Sequence, residues 1–351
     1  MVNYTLPSLS EEEASLIDRE NNVPSSILSR LELSGLLGPY TGVETAKGRI
    51  ESVRVLARDS VGLASVVLIN LSVQFLLYHV VGYTGDGLAI EVLSRGLSAV
   101  SLTEKGGGSD LARNVTVKAE GAGGSYCLNG EKIFTSNGLY ADYFLVLALY
   151  NGEPSLFLTD DKSSIEVEPL NLSSFRGAGI SRVLYKCARA VRLGEGKALG
   201  TVLQAINLGR LGYAAIGVGI AEGALFDAFE YAKSRSAFGK SLKDFQGIQW
   251  MIADAYSRLE SVRALYKQAV DQLPNIDPVD AAVLKNEAAH IAQKAAWIDV
   301  EIHGGRGLEF HSKPERLYRD SRALDIGEGA REVLRTYIAS SITRNPGLIT
   351  R

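Results

Sequence analysis

Two glycine-rich segments and one acid flanked by glycines are where this sequence could do chemistry. The first reads Leu102-Thr103-Glu104-Lys105-Gly106-Gly107-Gly108-Ser109-Asp110. Three successive glycines cost backbone entropy, so a tight turn or a closely approaching ligand must compensate. Turned inward, their N–H groups form a nest for an anion, and Ser109 adds a hydroxyl donor. A flexible connection between strands accounts for the same residues equally well. The second segment, His303-Gly304-Gly305-Arg306-Gly307, follows directly on a helical pattern. A C-terminal cap explains one or two of its glycines, and a third beside an arginine suggests close approach to a ligand. Glu328 stands between Gly327 and Gly329, where little side-chain bulk obstructs it. As an acid before a helix beginning near Ala330, it would also complement the helix macrodipole.

The elements that must position these residues fall into three zones. Residues 1–96 are helical in character, with Ser10 and Glu13 forming a capping box at one helix start. Residues 97–193 change to period two and turn chemistry, as at Val115 and Val117. Asn129-Gly130 and Asn151-Gly152 each divide apolar runs, the pattern of a hairpin turn whose two central residues need positive φ. Residues 194–351 return to helix. Ile248, Ile252, Ala255, Leu259, Val262, Tyr266 and Ala269 step by four and three, as do Leu284, Ala288, Ile291, Ala295, Ile298 and Ile302. Pro274, Asp277 and Pro278 supply the break between those stripes. The expected fold is therefore α+β and multidomain: an N-terminal helical domain, a middle antiparallel β-barrel or sandwich, and a C-terminal four-helix bundle.

Composition narrows the function classes. A net charge of −3 argues against a general nucleic-acid binder. Cys127 and Cys187 lie far apart with no CxxC, which excludes a disulfide framework or zinc knuckle and fits a reducing compartment. His79, His290, His303 and His311 are too scattered to suggest a metal cluster. Val61 to Gly82 carries no formal charge and is long enough to span a bilayer. Asn70, Gln74 and His79 interrupt it and no basic cluster flanks it, so a buried central helix is expected instead. The N-terminal residues have neither signal- nor transit-peptide form, and a cytoplasmic location is expected. Gly217-x-Gly219-x-x-x-Gly223 imitates a dinucleotide fingerprint, but its spacing is one residue too long and no strand leads into it. Gly212, Ala215, Gly219 and Gly223 instead share a helix face that lets another helix approach closely.

Six motifs in order carry a resemblance to the acyl-CoA dehydrogenase family over nearly the whole chain. Thr103 to Asp110 resembles its Thr-Glu-Pro-Gly-x-Gly-Ser-Asp. Leu128-Asn129-Gly130-Glu131-Lys132 through Ser136-Asn137-Gly138 is similar to the next motif. Arg235, Phe238, Gly239 and Lys240 with Asp244-Phe245-Gln246 follow, then Gly304-Gly305-Arg306-Gly307, Arg319-Asp320 and Glu328-Gly329-Ala330. The resemblance implies FAD held between subunits of a homodimer or homotetramer. Leu102, Thr103, Gly108, Phe134, Ser136 and Ala330 would meet the flavin side, with Ser109 near pyrophosphate and substrate. Arg235 would reach a neighbouring subunit's pyrophosphate, with Phe238 and Gln246 close by, because its rigid fork binds phosphate oxygens in pairs. Glu301, Gly304 and Gly305 match positions at the adenosine half.

The implied reaction is α,β-dehydrogenation of an acyl-CoA, in a fatty-acid type of metabolism, with electrons passed to an electron-transfer flavoprotein. A base must take the weakly acidic α-proton of the thioester while the enolate oxygen receives hydrogen bonds. The resemblance gives that role to Glu328. Some family members carry the base at the position matching Gly209, which cannot act here. Asn207 and Arg210 match positions near the substrate. Lys105, Phe134, Glu301 and Ala330 depart from the family's usual proline, tryptophan, glutamine and threonine. Two rival readings keep the fold: an oxygen-reactive oxidase or monooxygenase, and a non-catalytic FAD-holding subunit.

Overall fold

The computed structural model describes residues 2, 4–81, 87–110, 113–194 and 198–350. Five helices come first: α1 (Glu11–Glu20), α2 (Ser25–Leu33), α3 (Val43–Leu56), α4 (Val61–Phe75) and α5 (Gly87–Ser94). The capping box is present, with Ser10 Oγ accepting from Glu13 N and Ser10 N donating to the Glu13 carboxylate. The uncharged run expected to be a buried helix forms α4 and a π-helical turn, Leu76–Val81. Gly82, the last residue of that run, lies outside the described residues. Its polar interruptions are ties to neighbouring segments. Asn70 Oδ1 accepts from Ser98 N at 3.0 Å. Gln74 donates to Val92 O at 2.9 Å and accepts from Arg49. His79 and the Tyr40 hydroxyl meet at 2.9 Å. Buried polar groups satisfied in this way fix the helix in its slot.

Seven strands make the middle zone: β1 (Ser98–Ser101), β2 (Lys118–Ala122), β3 (Ser125–Thr135), β4 (Tyr143–Tyr150), β5 (Glu153–Thr159), β6 (Ile165–Pro169) and β7 (Ser181–Leu193). Their order is β1-β4-β2-β3-β7-β5, and β4 also pairs with β5, which closes a ring; β6 pairs with β7. The sheet is not purely antiparallel as expected, because β1 and β2 each run parallel to β4.

Asn151 and Gly152, both with positive φ, make the β4–β5 turn as expected. Asn129-Gly130 does not turn the chain. It is a bulge within β3, where the pairing with β7 slips, and the β2–β3 turn falls at Gly123-Gly124 instead. Gly130 is required there because a Cβ would lie 3.0 Å from the Val117 backbone, and Asn129 Oδ1 accepts from Cys187 N at 2.8 Å. The same bulge overturns the expectation of unpaired cysteines. Cys127 and Cys187 form a disulfide across β3 and β7, with Cα atoms 4.6 Å apart. Strands far apart in the chain had placed the two side by side, which spacing alone does not reveal.

The last zone holds α6 (Ala198–Ser234), a small β8–β9 hairpin (Ser236–Ala237 and Lys240–Ser241), α7 (Gln246–Asp271), α8 (Pro278–His303), α9 (Lys313–Ala323) and α10 (Arg331–Arg344). Asp277 caps α8 ahead of Pro278. The α8 stripe is buried throughout, whereas Ile248 and Ile252 of the α7 stripe are half-buried. The glycines of α6 serve helix packing: a Cβ at Gly219 would stand 2.2 Å from Arg54 O, and one at Gly223 2.3 Å from Arg58 O. Two apolar stretches long enough to cross a membrane, Val61–His79 and Val202–Ser234, are mostly buried inside the fold.

Asn137 joins these layers. It is fully buried, holds φ +62°, and donates from Nδ2 to Val66 O at 3.0 Å and Ser98 O at 3.1 Å. Asn137→Ala removes both donated bonds and is expected to lower stability by roughly 1–3 kcal/mol. Thermal unfolding of the FAD-loaded protein checks this, and an unchanged midpoint would show the tie to be dispensable.

Candidate active site

Glu328 sits in a short loop between α9 and α10 with φ +54°, the left-handed region that a glutamate seldom occupies. Such a conformation persists only where the surroundings over-determine it, and here they do. Asp325 accepts from Arg331 Nε at 2.8 Å, from Arg322 at 3.0 Å and from Gln293 at 2.7 Å. Arg331 N also donates to Asp325 O at 3.0 Å, closing the loop on itself. Lys285, buried on α8, reaches across and donates to Gly329 O at 2.7 Å. Both residues flanking Glu328 in sequence are glycines for cause. A Cβ at Gly327 would lie 2.4 Å from the Tyr213 hydroxyl, and Gly329 has φ +102°.

The carboxylate itself lies against α6. A Cβ at Gly209 would stand 2.3 Å from Glu328 Oε2 and 2.5 Å from Cδ, so the absent side chain at Gly209 is the space that the acid occupies. The residue is half-buried, with its carboxylate set against α6 at Gly209. Burial raises its pKa to about 7, against the pull of Arg210 and Lys285. The same burial pushes the Tyr213 hydroxyl well up, and Glu328 adds to that, so the phenol stays protonated. Lys285 is held down to about 8, chiefly by burial. A carboxyl group near 7 is a competent proton acceptor at neutral pH.

Asn207 and Arg210 sit one turn apart on α6, half-buried, and Arg210 donates to Asn207 Oδ1 at 3.1 Å. Arg210 also lies over the Tyr337 ring, 5.6 Å from its centroid, and its Nε is buried without a hydrogen-bond partner. Its guanidinium lies close enough to Glu328 to favour the ionised carboxylate.

A relay of contacts ties the base to the sheet. Tyr213, beside Gly327, stacks on Phe175 at 5.6 Å between centroids. Phe175 N donates to Asp320 Oδ1 at 2.6 Å, and Arg319 binds Ser173 O, Asp18 and Glu315. The Arg319-Asp320 motif is thus a tether for the 173–178 loop. Ala178 O in turn accepts from Asn137 N at 3.0 Å. Next to Asn137 are Ser136, half-buried, and Phe134, half exposed with φ +57°. Ile133 N donates to Thr103 O at 2.9 Å, which sets Leu102 and Thr103 against this strand. Glu104, which sequence reasoning left without a role, anchors the whole turn. Buried, it accepts from Lys132 at 2.7 Å and from the backbone of Thr116 and Val117. Gly106 to Asp110 are exposed beyond it, and Gly107 has φ +106°.

The remaining predicted residues lie elsewhere on the surface. Arg235, Phe238 and Gln246 are exposed around the β8–β9 hairpin, Phe238 almost completely. Glu301, Gly304 and Gly305 are exposed at the end of α8, where Gly304 is its C-cap at φ +61°. Ala330 is the N-cap of α10 and offers no side-chain cap.

Comparison with known proteins accords with this arrangement. Residues 99–187 match the acyl-CoA dehydrogenase middle domain, and residues 195–343 match the acyl-CoA dehydrogenase C-terminal domain. A short-chain-specific acyl-CoA dehydrogenase of Clostridium acetobutylicum is 34% identical over 71% of this chain and 69% of its own. This chain belongs to the acyl-CoA dehydrogenase family. Subunit CarC of a caffeyl-CoA reductase-Etf complex from Acetobacterium woodii is 33% identical over 70% of this chain and 68% of its own. The structure of butyryl-CoA dehydrogenase from Megasphaera elsdenii matches with a TM-score of 0.85 and 25% identity, over 97% of this chain and all of that one. The protein is accordingly an acyl-CoA dehydrogenase-type oxidoreductase and a flavoprotein whose cofactor is FAD.

The residues present fit that cofactor. Exposed glycine N–H groups and the Ser109 hydroxyl suit phosphate, and the exposed Phe134 offers a flat apolar face beside Thr103 and Ser136. No atom stands within 4 Å of a Cβ built on Gly304 or Gly305, which leaves room for a ligand to approach their backbone.

Two substitutions probe the base. Charged and titratable groups face Glu328 from two helices: Arg210 and Tyr213 on α6 and Lys285 on α8, while Asp325 and Arg331 act on Lys285. Lys285→Gln keeps a donor for Gly329 O but removes a cation that favours the carboxylate, so the pKa of Glu328 rises. The pH–rate curve for thioester-dependent flavin reduction is expected to climb as Glu328 ionises, near pH 7 in the parent, and to move to higher pH in the variant. An unmoved curve would show that Lys285 exerts no electrostatic hold on the base. Gly209→Ala displaces the carboxylate and is expected to slow flavin reduction about tenfold or more while leaving FAD content unchanged. Stopped-flow absorbance measures it, and a parental rate would mean that Glu328 tolerates the shift.

Proposed function

We propose that this enzyme catalyses α,β-dehydrogenation of an acyl-CoA thioester, with Glu328 as the base and an electron-transfer flavoprotein as acceptor. The observation that carries the reading is the Glu328 carboxylate, held in left-handed backbone above Gly209 with its pKa raised to about 7 by burial. Glu328 takes the α-proton onto a carboxylate oxygen. Arg210 and the neighbouring Asn207, joined by a hydrogen bond, stand where they would orient the substrate's polar groups. FAD, when bound, supplies the acceptor for the β-hydride. Leu102, Thr103, Gly108, Ser109, Phe134, Ser136 and Ala330 would hold it in one subunit. Arg235, Phe238, Gln246, Glu301, Gly304 and Gly305 would reach the cofactor of a second, in a homodimer or homotetramer. Their exposure, away from the Glu328 cleft, supports a role across subunits.

The name of the Acetobacterium woodii relative supports an electron-transfer flavoprotein as partner and also raises the reverse reaction, reduction of an enoyl-CoA. A carboxyl group near 7 populates both protonation states at neutral pH, so Glu328 can accept the α-proton in one direction and return it in the other. Cytoplasmic residence belongs to the same proposal. Both long apolar helices are buried inside the fold rather than exposed as spans, and the disulfide removes the argument from cysteine usage.

Anaerobic addition of a panel of acyl-CoAs tests the reading by flavin absorbance at about 450 nm. Bleaching is expected for the parent and is expected to slow by roughly 10²–10⁴-fold in Glu328→Gln. Rapid recolouring in air would identify an oxidase instead. No response to any thioester, or equal bleaching in Glu328→Gln, would overturn the assignment.

A further inference from the structure

The disulfide between β3 and β7 has no part in the Glu328 chemistry, and its two halves are unlike. Cys187 is exposed and Cys127 half-buried. Leu128 pairs with Ala188 and Asn129 with Lys186, so Cys187 is the residue that the slipped register leaves without a partner strand position. It holds φ +55°, a left-handed conformation that cysteine seldom adopts. Asn129 joins the two halves. Its Oδ1 accepts from Cys187 N at 2.8 Å, and its Nδ2 donates to Cys127 Sγ at 3.1 Å. The backbone N–H of Cys187 fixes which end of that amide is oxygen, so the Cys127 sulfur faces the donating end.

We propose that Cys127–Cys187 is a site of reversible thiol–disulfide exchange, attacked by small thiols at Cys187 with Cys127 as the leaving group. An entering thiolate bonds to Cys187 Sγ as the bond between the two cysteines breaks, and the electron pair departs on Cys127 Sγ. That sulfur then takes a proton from water. A second thiol displaces the first from Cys187. Two thiols thus become one external disulfide, while the protein disulfide gains two electrons and two protons.

Two features assign the direction of attack. Exchange needs access to the attacked sulfur, and Cys187 is the exposed member of the pair. Exchange is also faster when the departing sulfur is the better-stabilised thiolate. The Asn129 amide places a hydrogen-bond donor on Cys127 Sγ, which favours its charged form as it leaves. The bond spans 60 positions of chain, a segment that includes Phe134, Ser136, Asn137 and Phe175. Breaking it restores conformational freedom to the unfolded chain. The hydrogen bonds of Asn137 and Asp320 must then hold that segment in place without the covalent clasp. Exchange therefore acts on the stability of the sheet and its junction with the helices, and leaves the groups around Glu328 in place.

The test is timed exposure of the FAD-loaded protein to mercaptoethanol, a neutral monothiol, with trapping of free thiols by N-ethylmaleimide and peptide mass spectrometry. The first product is expected to carry mercaptoethanol on Cys187 and the maleimide on Cys127. Asn129→Asp keeps an acceptor for Cys187 N but loses the donor to sulfur, and is expected to slow exchange roughly tenfold. Asn129→Ala should slow it as well, which separates the lost donor from the added charge. Flavin absorbance reports whether each variant is folded, and the position of the first adduct in the parent decides the matter if neither folds. The thermal midpoint of the parent should fall by several degrees on reduction and return when hydroxyethyl disulfide replaces the thiol. A first adduct on Cys127 or on both cysteines equally, exchange only after unfolding, a parental rate in either folded variant, or an unmoved midpoint would overturn the site.

Discussion

Placing an ionisable acid where water is scarce is the constraint on which the rest of this structure depends. Desolvation makes Glu328 a stronger base than a surface carboxylate, but it also favours a protonated acid and a retreat to solvent. The fold opposes that retreat from several sides. α6 contributes the vacancy at Gly209, α8 contributes the Lys285 bond to Gly329 O, and Asp325 closes the loop through Arg331. Each of those ties comes from a different element, so the position of one carboxylate depends on the packing of the whole C-terminal bundle. A left-handed glutamate costs roughly 1–3 kcal/mol, and these contacts are what offset it.

The same logic explains why the sheet matters to a site whose acid lies between two helices. The flavin surface proposed at Thr103, Phe134 and Ser136 must keep a fixed distance from Glu328, although it lies on a different layer. The Asn137, Ala178, Phe175 and Tyr213 sequence of contacts spans that distance without a flexible link. Three of its participants or neighbours, Phe134, Asn137 and Phe175, hold positive φ. Concentrating strained backbone at the junction of layers is consistent with a junction that has a geometric task.

Periodicity made the helical zones legible, because a stripe such as Leu284 to Ile302 reflects burial along a single element. Local turn chemistry was legible where the turn itself imposed the need, as at Asn151-Gly152. It misled at Asn129-Gly130, since a bulge and a hairpin both require positive φ and only the partner strand distinguishes them. Cys127 and Cys187 were misread for the same reason: pairing between β3 and β7 is non-local. Glu328 could be singled out by its flanking glycines and its motif. Lys285, Asp325 and Glu104 could not, because what each does is defined by a residue 28 or more positions away, or by a loop fold that pattern does not encode.

α8 shows how one element can serve several sites at once. Its buried stripe is all alanine, leucine and isoleucine, so it packs tightly against α6 and has little freedom to slide. At Gly217 a Cβ would stand 2.8 Å from Ala288 O, which makes α6–α8 contact nearly backbone to backbone. Lys285 near one end then fixes the base loop, while Asp299 and His303 near the other face Asp227 just ahead of the Gly304–Gly307 turn. His303, between Asp299 on its own helix and Asp227 on α6, resists at that end the same sliding motion that the small residues resist along the shaft. Rigidity of the α6–α8 pair is therefore a property the active site needs at Gly209 and Lys285, whichever groups enforce it at the opposite end.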